Sequence, residues 1–287
     1  MSELLHDQTA IQPQLLPLGI QSFEKLREEK LLYVDKTAII YKLIRTSGCY
    51  FLSRPRRFGK SLLISTLQAI FEGKRHLFSG LTLESLPYDW SVYPVIRLEM
   101  PELRSEEGIS ELEEKIRAEL FFIADQFNII LDKTIPLEMI FKSLIIYLAR
   151  EKNRVVVLID EYDRPILSVT HDAYRLEKVR SFLKSFYGVL KSVDSSLRFL
   201  FLTGVSEFAQ VSIFSGLNHL TKLTFSQEFG TLLGYTDTEI DQYFGQHIAA
   251  MKKALEERDL DVRAELQQMY NGYQFCDAPP RVYNPYS

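Results

Sequence analysis

Apolar positions along this chain alternate between two rhythms, one repeating every three to four residues and one running unbroken for several. Residues 21–32 carry Phe23, Leu26 and Lys30 at helical spacing. A further helix, beginning with Val34-Asp35-Lys36-Thr37, places Ile39, Ile40, Leu43 and Ile44 on one side. Gly48 is expected to end that helix, and residues 50–52 to form a short strand. A helix over 60–72 stops at Gly73; residues 77–86 read as a turn-rich connector and 93–100 as a strand carried by Val95, Ile96 and Leu98. In 106–127, Ile109, Leu112, Ile116, Leu120, Ile123 and Phe127 form an amphipathic stripe. Pro136, whose missing N–H is no loss at a helix start, opens another helix with Ile140, Phe141, Leu144, Ile145 and Leu148 buried.

Val155-Val-Val-Leu-Ile159 and Phe199-Leu-Phe-Leu202 are apolar at every position, as strands in the middle of a parallel sheet covered on both faces are. A helix over 175–191 separates them. Strands alternating with helices predict an α/β fold, a three-layer sandwich with a mostly parallel central sheet. The character changes from Gly234. Thr236-Asp-Thr-Glu239 is a capping box, followed on one face by Ile240, Tyr243, Phe244, Ile248 and Met251. Residues 256–258 and 261–270 predict a second helix. The expected organisation is a flexible lead over 1–18, an α/β core over 19–233 and a small helical, lid-like unit over 234–287, read as truncated at Asn284-Pro-Tyr-Ser287.

Composition adds mainly exclusions. With 46% hydrophobic and 25% charged residues in 287, the chain resembles an ordinary soluble protein with room for a substantial core. A net charge of -4 gives no global attraction to nucleic acid or to an anionic membrane. Cys49 and Cys276 follow no metal-ligand spacing, nor do the five histidines, and no Gly-x-Ser-x-Gly serine site occurs. No apolar run approaches a membrane span and the N-terminus lacks a secretory leader, so the expectation is a cytoplasmic protein without membrane contact.

The candidate chemistry begins at Cys49-Tyr-Phe-Leu-Ser-Arg-Pro-Arg-Arg-Phe-Gly-Lys-Ser61-Leu62. A short apolar strand, a tight polar turn and Gly59-Lys60-Ser61 opening a helix form the layout of a phosphate-binding loop. Leading N–H groups of a helix lack backbone partners, and the dipole there favours negative charge. Gly59 allows close approach, Lys60 reaches outer phosphates and Ser61 can hold Mg2+. Arg54 stands where the motif's first glycine is expected. With Arg56 and Arg57 it reads as added positive potential for a triphosphate, or as a contact to another chain.

An independent motif supports the loop. Residues 155–159 end in Asp160-Glu161, placing two acids at the C-terminal edge of a buried strand, where open α/β sheets bind ligands. Asp160 is suited to help hold Mg2+, Glu161 to polarise an attacking water, and Thr203 to sense a γ-phosphate from the end of the next run. Residues 95–98 lie between loop and acids, as expected where an added strand separates the two motifs. Tyr162 and Asp163 read as local packing and solvation. Together these predict a P-loop NTPase core, and the absence of an Asn-Lys-x-Asp pattern favours ATP over GTP.

Arg54-Pro-Arg-Arg-Phe-Gly-Lys-Ser61-Leu, Tyr33-Val-Asp-Lys36, Val157-Leu-Ile-Asp-Glu-Tyr-Asp163, Thr203-Gly-Val-Ser206, Val211-Ser-Ile-Phe-Ser215-Gly-Leu-Asn218 and Tyr270-Asn-Gly-Tyr273 together resemble the AAA-ATPase-like family. The resemblance accounts for Arg54, because the family's loop has a similar form. It implies ATP bound by Arg54, Pro55, Arg56, Arg57, Phe58, Gly59, Lys60, Ser61 and Leu62, with Mg2+ at Ser61 and Asp160 and catalysis by Glu161, Lys60 and Thr203. Similar sequences place a basic residue after Gly-Val-Ser, where this chain has Glu207. The family often carries a PD-(D/E)XK nuclease-like domain further along, for which this sequence shows no convincing acid and lysine set. The leading expectation is an Mg2+-dependent ATPase acting as a nucleotide-driven switch, with self-association or a protein effector as partner. A non-hydrolysing ATP-sensing module that regulates an effector is the alternative. A nucleic-acid motor is disfavoured by the acidic balance.

Overall fold

The structure is a computed structural model that describes residues 13–103, 108–207, 213–214, 220–255, 261–277 and 280–285. Five parallel strands form one sheet: β1 (Gly48–Ser53), β2 (Val95–Glu99), β3 (Val155–Asp160), β4 (Leu197–Gly204) and β5 (Leu220–Lys222), in the order β2-β3-β4-β1-β5. Alternate residues of β3 enter opposite cores: Val155, Val157 and Ile159 on one face, Val156 and Leu158 on the other. Period-two side-chain direction in a strand covered on both faces produces this division, and with it the three-layer sandwich.

Helices α1 (Phe23–Glu28), α2 (Thr37–Ile44) and α3 (Lys60–Phe71) contribute to the core on one face of the sheet. On the other lie α4 (Ile109–Gln126), α5 (Leu137–Glu151) and α7 (Ala173–Ser192), with the short α6 (Arg164–Leu167) directly after β3. Near the end, α8 (Asp237–Ala254) and α9 (Val262–Tyr270) close a small separate apolar cluster around Ile240, Ile248, Val262 and Tyr283. The Thr236–Glu239 capping box forms as expected, with both reciprocal hydrogen bonds present.

Several boundaries differ from the sequence reading for local reasons. Lys30 does not extend the first helix: it sits at φ 54° in a turn, two residues past the helix end. The next helix begins at Thr37 because Asp35 accepts from the Thr37 backbone and hydroxyl, an alternative to helical bonding that holds residues 35–36 outside. Gly48 ends no helix; it is the first residue of β1. β5, three residues long and only partly buried, carries too little pattern to be read. A strand does separate β1 from β3, but it is β4; residues 95–98, which lie between the motifs in sequence, sit on the outer edge as β2. The expected helical residues 256–258 and most of the Val211 to Asn218 motif lie outside the described residues.

Candidate functional site

The phosphate loop rises from β1 and turns into α3 at Gly59, which takes φ 86°, a left-handed conformation that glycine adopts without steric cost. Among the described residues no side chain caps the start of α3, where the leading N–H groups lack intrahelical partners. The base of the loop is fastened to the sheet. Arg54 N–H donates to the Gly204 carbonyl (3.1 Å), the Ser53 hydroxyl to the Val205 carbonyl (2.8 Å), and Thr224 Oγ1 accepts from Ser53 N–H (3.1 Å).

Lys60 is buried, and its ammonium donates to the carbonyls of Arg54 (3.0 Å) and Pro55 (2.9 Å). Burial lowers its pKa, while Asp160, Glu161 and Asp163 pull the other way. Those three carboxylates therefore lie within electrostatic reach of the loop lysine, which brings the two motifs into one site. Register explains the convergence: Leu52 pairs with Thr203 across β1 and β4, and Glu99 with Asp160 across β2 and β3, all at the same end of the sheet.

Asp160 is almost fully buried and accepts from the Thr203 hydroxyl and from Glu161 N–H (3.0 Å), both at Oδ1. The Thr203 hydroxyl is thus engaged with the acid rather than free to face a ligand. Among the described residues no group of three or more His, Cys, Asp or Glu side chains is arranged to hold a metal. Mg2+ needs no such cluster, since it is commonly held through one or two hard oxygens with water and phosphate completing its octahedron. The Asp160 carboxylate and the Ser61 hydroxyl at the α3 start are such oxygens.

Glu161 takes φ 52°, a left-handed conformation that costs a non-glycine residue roughly 1–2 kcal/mol. Its carboxylate pairs with Arg164 at 2.7 Å, and Arg164 also reaches Glu99 at 3.1 Å. Burial raises the Glu161 pKa; Arg164 and Lys60 oppose that rise. Sequence reasoning missed Arg164 and Glu99. Their signal was an arginine three residues after the acid and an acid at the end of a neighbouring strand.

The structure places several other residues differently from expectation. Arg54 is not a surface cation for a triphosphate: it is buried, its guanidinium donates to the carbonyls of Ser53 (2.8 Å), Thr224 (2.8 Å) and Phe229 (3.4 Å), and burial pulls its pKa down to about 10. Phe58 is fully buried and Leu62 packs its side chain on the core, so neither side chain is free for a ligand. Arg56 and Arg57 remain exposed on the loop. Asp163 is not solvated. It is fully buried and accepts from Val205 N–H (3.0 Å) and Ser206 N–H, while the Tyr162 hydroxyl donates to the Ser206 carbonyl. A Cβ on Gly204 would lie 2.4 Å from the Tyr162 ring, so residues 162–163 clamp the turn after β4 and require glycine there. Glu207 pairs with Lys222 of β5 at 3.5 Å.

Strand, glycine-capped loop and helix, with the paired acids two strands away, form a P-loop NTPase sandwich. Residues 17–214 match the family described as Predicted AAA-ATPase. An uncharacterized protein in the vnfD 5′ region of Azotobacter chroococcum mcd 1 is 40% identical over 274 residues, covering 94% of this chain and 50% of that protein. The chain thus spans about half the length of this curated relative. The solved Aeropyrum pernix ORC2 protein, in ADPNP-ADP complexes, aligns at 15% identity and a TM-score of 0.37 over 90% of this chain and 57% of that one. No helix among the described residues is long and apolar enough to cross a membrane.

Proposed function

This chain belongs to the AAA-ATPase-like family, and we propose that it binds ATP with Mg2+ and hydrolyses it to ADP and phosphate as a nucleotide-driven switch. The observation that carries the reading is that the parallel register brings the loop after β1, with Lys60 opening α3, to the same edge of the sheet as Asp160 and Glu161. Phosphate oxygens are better acceptors for an ammonium than carbonyls, so Lys60 exchanges Arg54 and Pro55 for the β- and γ-phosphates. The free N–H groups of α3 and the exposed Arg56 and Arg57 add to that cradle. Ser61 and Asp160 hold the metal, which supplies neutralisation of phosphate charge when bound. Glu161 orients the attacking water and takes its proton as the water oxygen bonds the γ-phosphorus and the bridging oxygen leaves with ADP. Thr203, bonded to Asp160, links that acid to the end of β4.

We place the nucleotide core at 19–233 and the helical unit at 234–287, with a lead over 1–18. The output is movement of the helical unit against the core, passed to a second copy or a protein effector. The Arg164 pair favours a second reading, an ATP-sensing module with little turnover, because it occupies the carboxylate that water activation needs. Single-turnover hydrolysis and MgATP binding by purified protein decide between them. Turnover should be lost in Lys60→Ala and in Glu161→Gln, with only the latter still binding nucleotide. Equal turnover in wild type and Glu161→Gln excludes the hydrolytic reading, and absence of MgATP binding excludes both.

A further inference from the structure

The phosphate loop is held from behind by residues far outside the 17–214 match. Phe58, in mid-loop and fully buried, meets Tyr273 edge-on at 4.8 Å between ring centroids and Phe275 at 5.4 Å. The Arg54 guanidinium lies 3.9 Å above the centre of the Phe275 ring. Among the described residues its side-chain hydrogen bonds go to carbonyls and its buried Nε finds no hydrogen-bond partner, so the ring face is a large part of what compensates this charge. The same Arg54 residue offers its carbonyl to Lys60. A continuous path therefore runs from Phe275 through Arg54 to the loop lysine.

The brace is itself anchored. Tyr273 pairs with Val282 in an antiparallel bridge, and Val282 is buried against the spot where Gly234 adjoins Phe58. Gly272, at φ 116°, makes the turn that swings the chain from α9 toward the loop. This gives the Tyr270-Asn-Gly-Tyr273 motif a physical role: it ends a helix and delivers an aromatic side chain to the back of the phosphate loop.

We infer that Tyr273 and Phe275 are positioning residues for the phosphate loop, holding Phe58 and Arg54 so that Gly59 and Lys60 are presented in a ligand-ready conformation. The inference rests on the nucleotide reading for what the loop holds, but not for what holds the loop. It also means that the working nucleotide unit extends into the C-terminal segment rather than ending near 233.

Hydrogen exchange read by mass spectrometry on the full chain tests this, comparing wild type with Phe275→Ala and with the Tyr273→Ala, Phe275→Ala double variant. Removing the cation–ring and ring–ring contacts should speed exchange of amides 56–61 by about tenfold. The strand amides 155–159 should be unchanged, and Phe275→Tyr should restore slow exchange. MgATP affinity should fall in parallel with loop protection. No change at 56–61, or an increase uniform along the chain, overturns the inference, the latter because it makes these rings general core. Wild-type protein that fails to bind MgATP would sink the proposed function, while the exchange comparison still decides the brace.

Discussion

Arg164 holds the carboxylate of Glu161 at 2.7 Å, using a guanidinium that it shares with Glu99 on the neighbouring strand. The partners are about a third exposed, so the pair contributes under about 1 kcal/mol to stability, and in the proposed reaction its consequence is functional. A carboxylate engaged by arginine is a poorer acceptor for a water proton. Arg164→Gln should therefore leave the thermal midpoint nearly unchanged and raise single-turnover hydrolysis several-fold. In a Glu161→Gln background the same substitution should do nothing, because two residues acting through one contact are not additive. An equal increase in both backgrounds rules out this coupling.

Lys36 ties the N-terminal segment to α8. Its ammonium meets both carboxylate oxygens of Glu239, at 2.6 and 2.7 Å, with the lysine side chain 9% exposed. Removing the lysine leaves a largely covered carboxylate without its counter-charge, so Lys36→Met should destabilise by about 3 kcal/mol. Adding Glu239→Gln should recover much of that, since Gln can retain the cap at Thr236 while losing the charge. Urea melts of the two single variants and the double variant measure the coupling; simple additivity would contradict a buried pair.

Thr203 and Asp160 are linked across β4 and β3. Thr203→Val keeps the shape and removes the hydroxyl, leaving the buried carboxylate one donor short at a cost of about 1.5–3 kcal/mol. The variant should unfold at lower urea and bind MgATP more weakly than wild type. If isothermal titration finds unchanged Mg2+ dependence of ATP binding, Asp160 is not oriented by Thr203.

Asp35 predicts an acid limb of stability. Burial pushes its pKa up, but hydrogen bonds from Thr37 and Thr82 to both carboxylate oxygens outweigh this and hold it below the usual range. A folded pKa below the unfolded value of about 3.9 means that the stabilisation is complete above that pH and is lost as pH falls through the folded value. The stability difference between wild type and Asp35→Asn should therefore hold above the unfolded value and shrink as the pH falls below it through the lower folded value. A difference that stays constant on acidification would falsify the assignment.

Much of this molecule follows from local pattern. The all-apolar run at 155–159 requires cover on both faces, and its alternate residues do enter two cores. The Thr236–Glu239 box and the Gly59 turn are encoded within four residues each and form as read. Chemistry carried by backbone geometry, such as the open α3 start and the acids at a strand end, is legible for the same reason.

What only the tertiary structure decided is where long side chains spend their polar ends. Arg54 looks like a phosphate ligand in sequence, yet the chain brings Thr224 and Phe229 carbonyls and the Phe275 ring around it, turning a surface cation into a buried support. Lys36 and Glu239 are some two hundred positions apart, and Phe58 and Phe275 still further, so no spacing rule could pair them. Strand order had the same origin: β4 enters between β1 and β3 because its neighbours are chosen by sheet packing rather than by chain order. The sequence by itself determined the elements and the reactive groups at their ends. Long-range burial, which rewards whichever partner satisfies a desolvated charge, determined which of those groups stay open at the sheet edge and which are buried as supports.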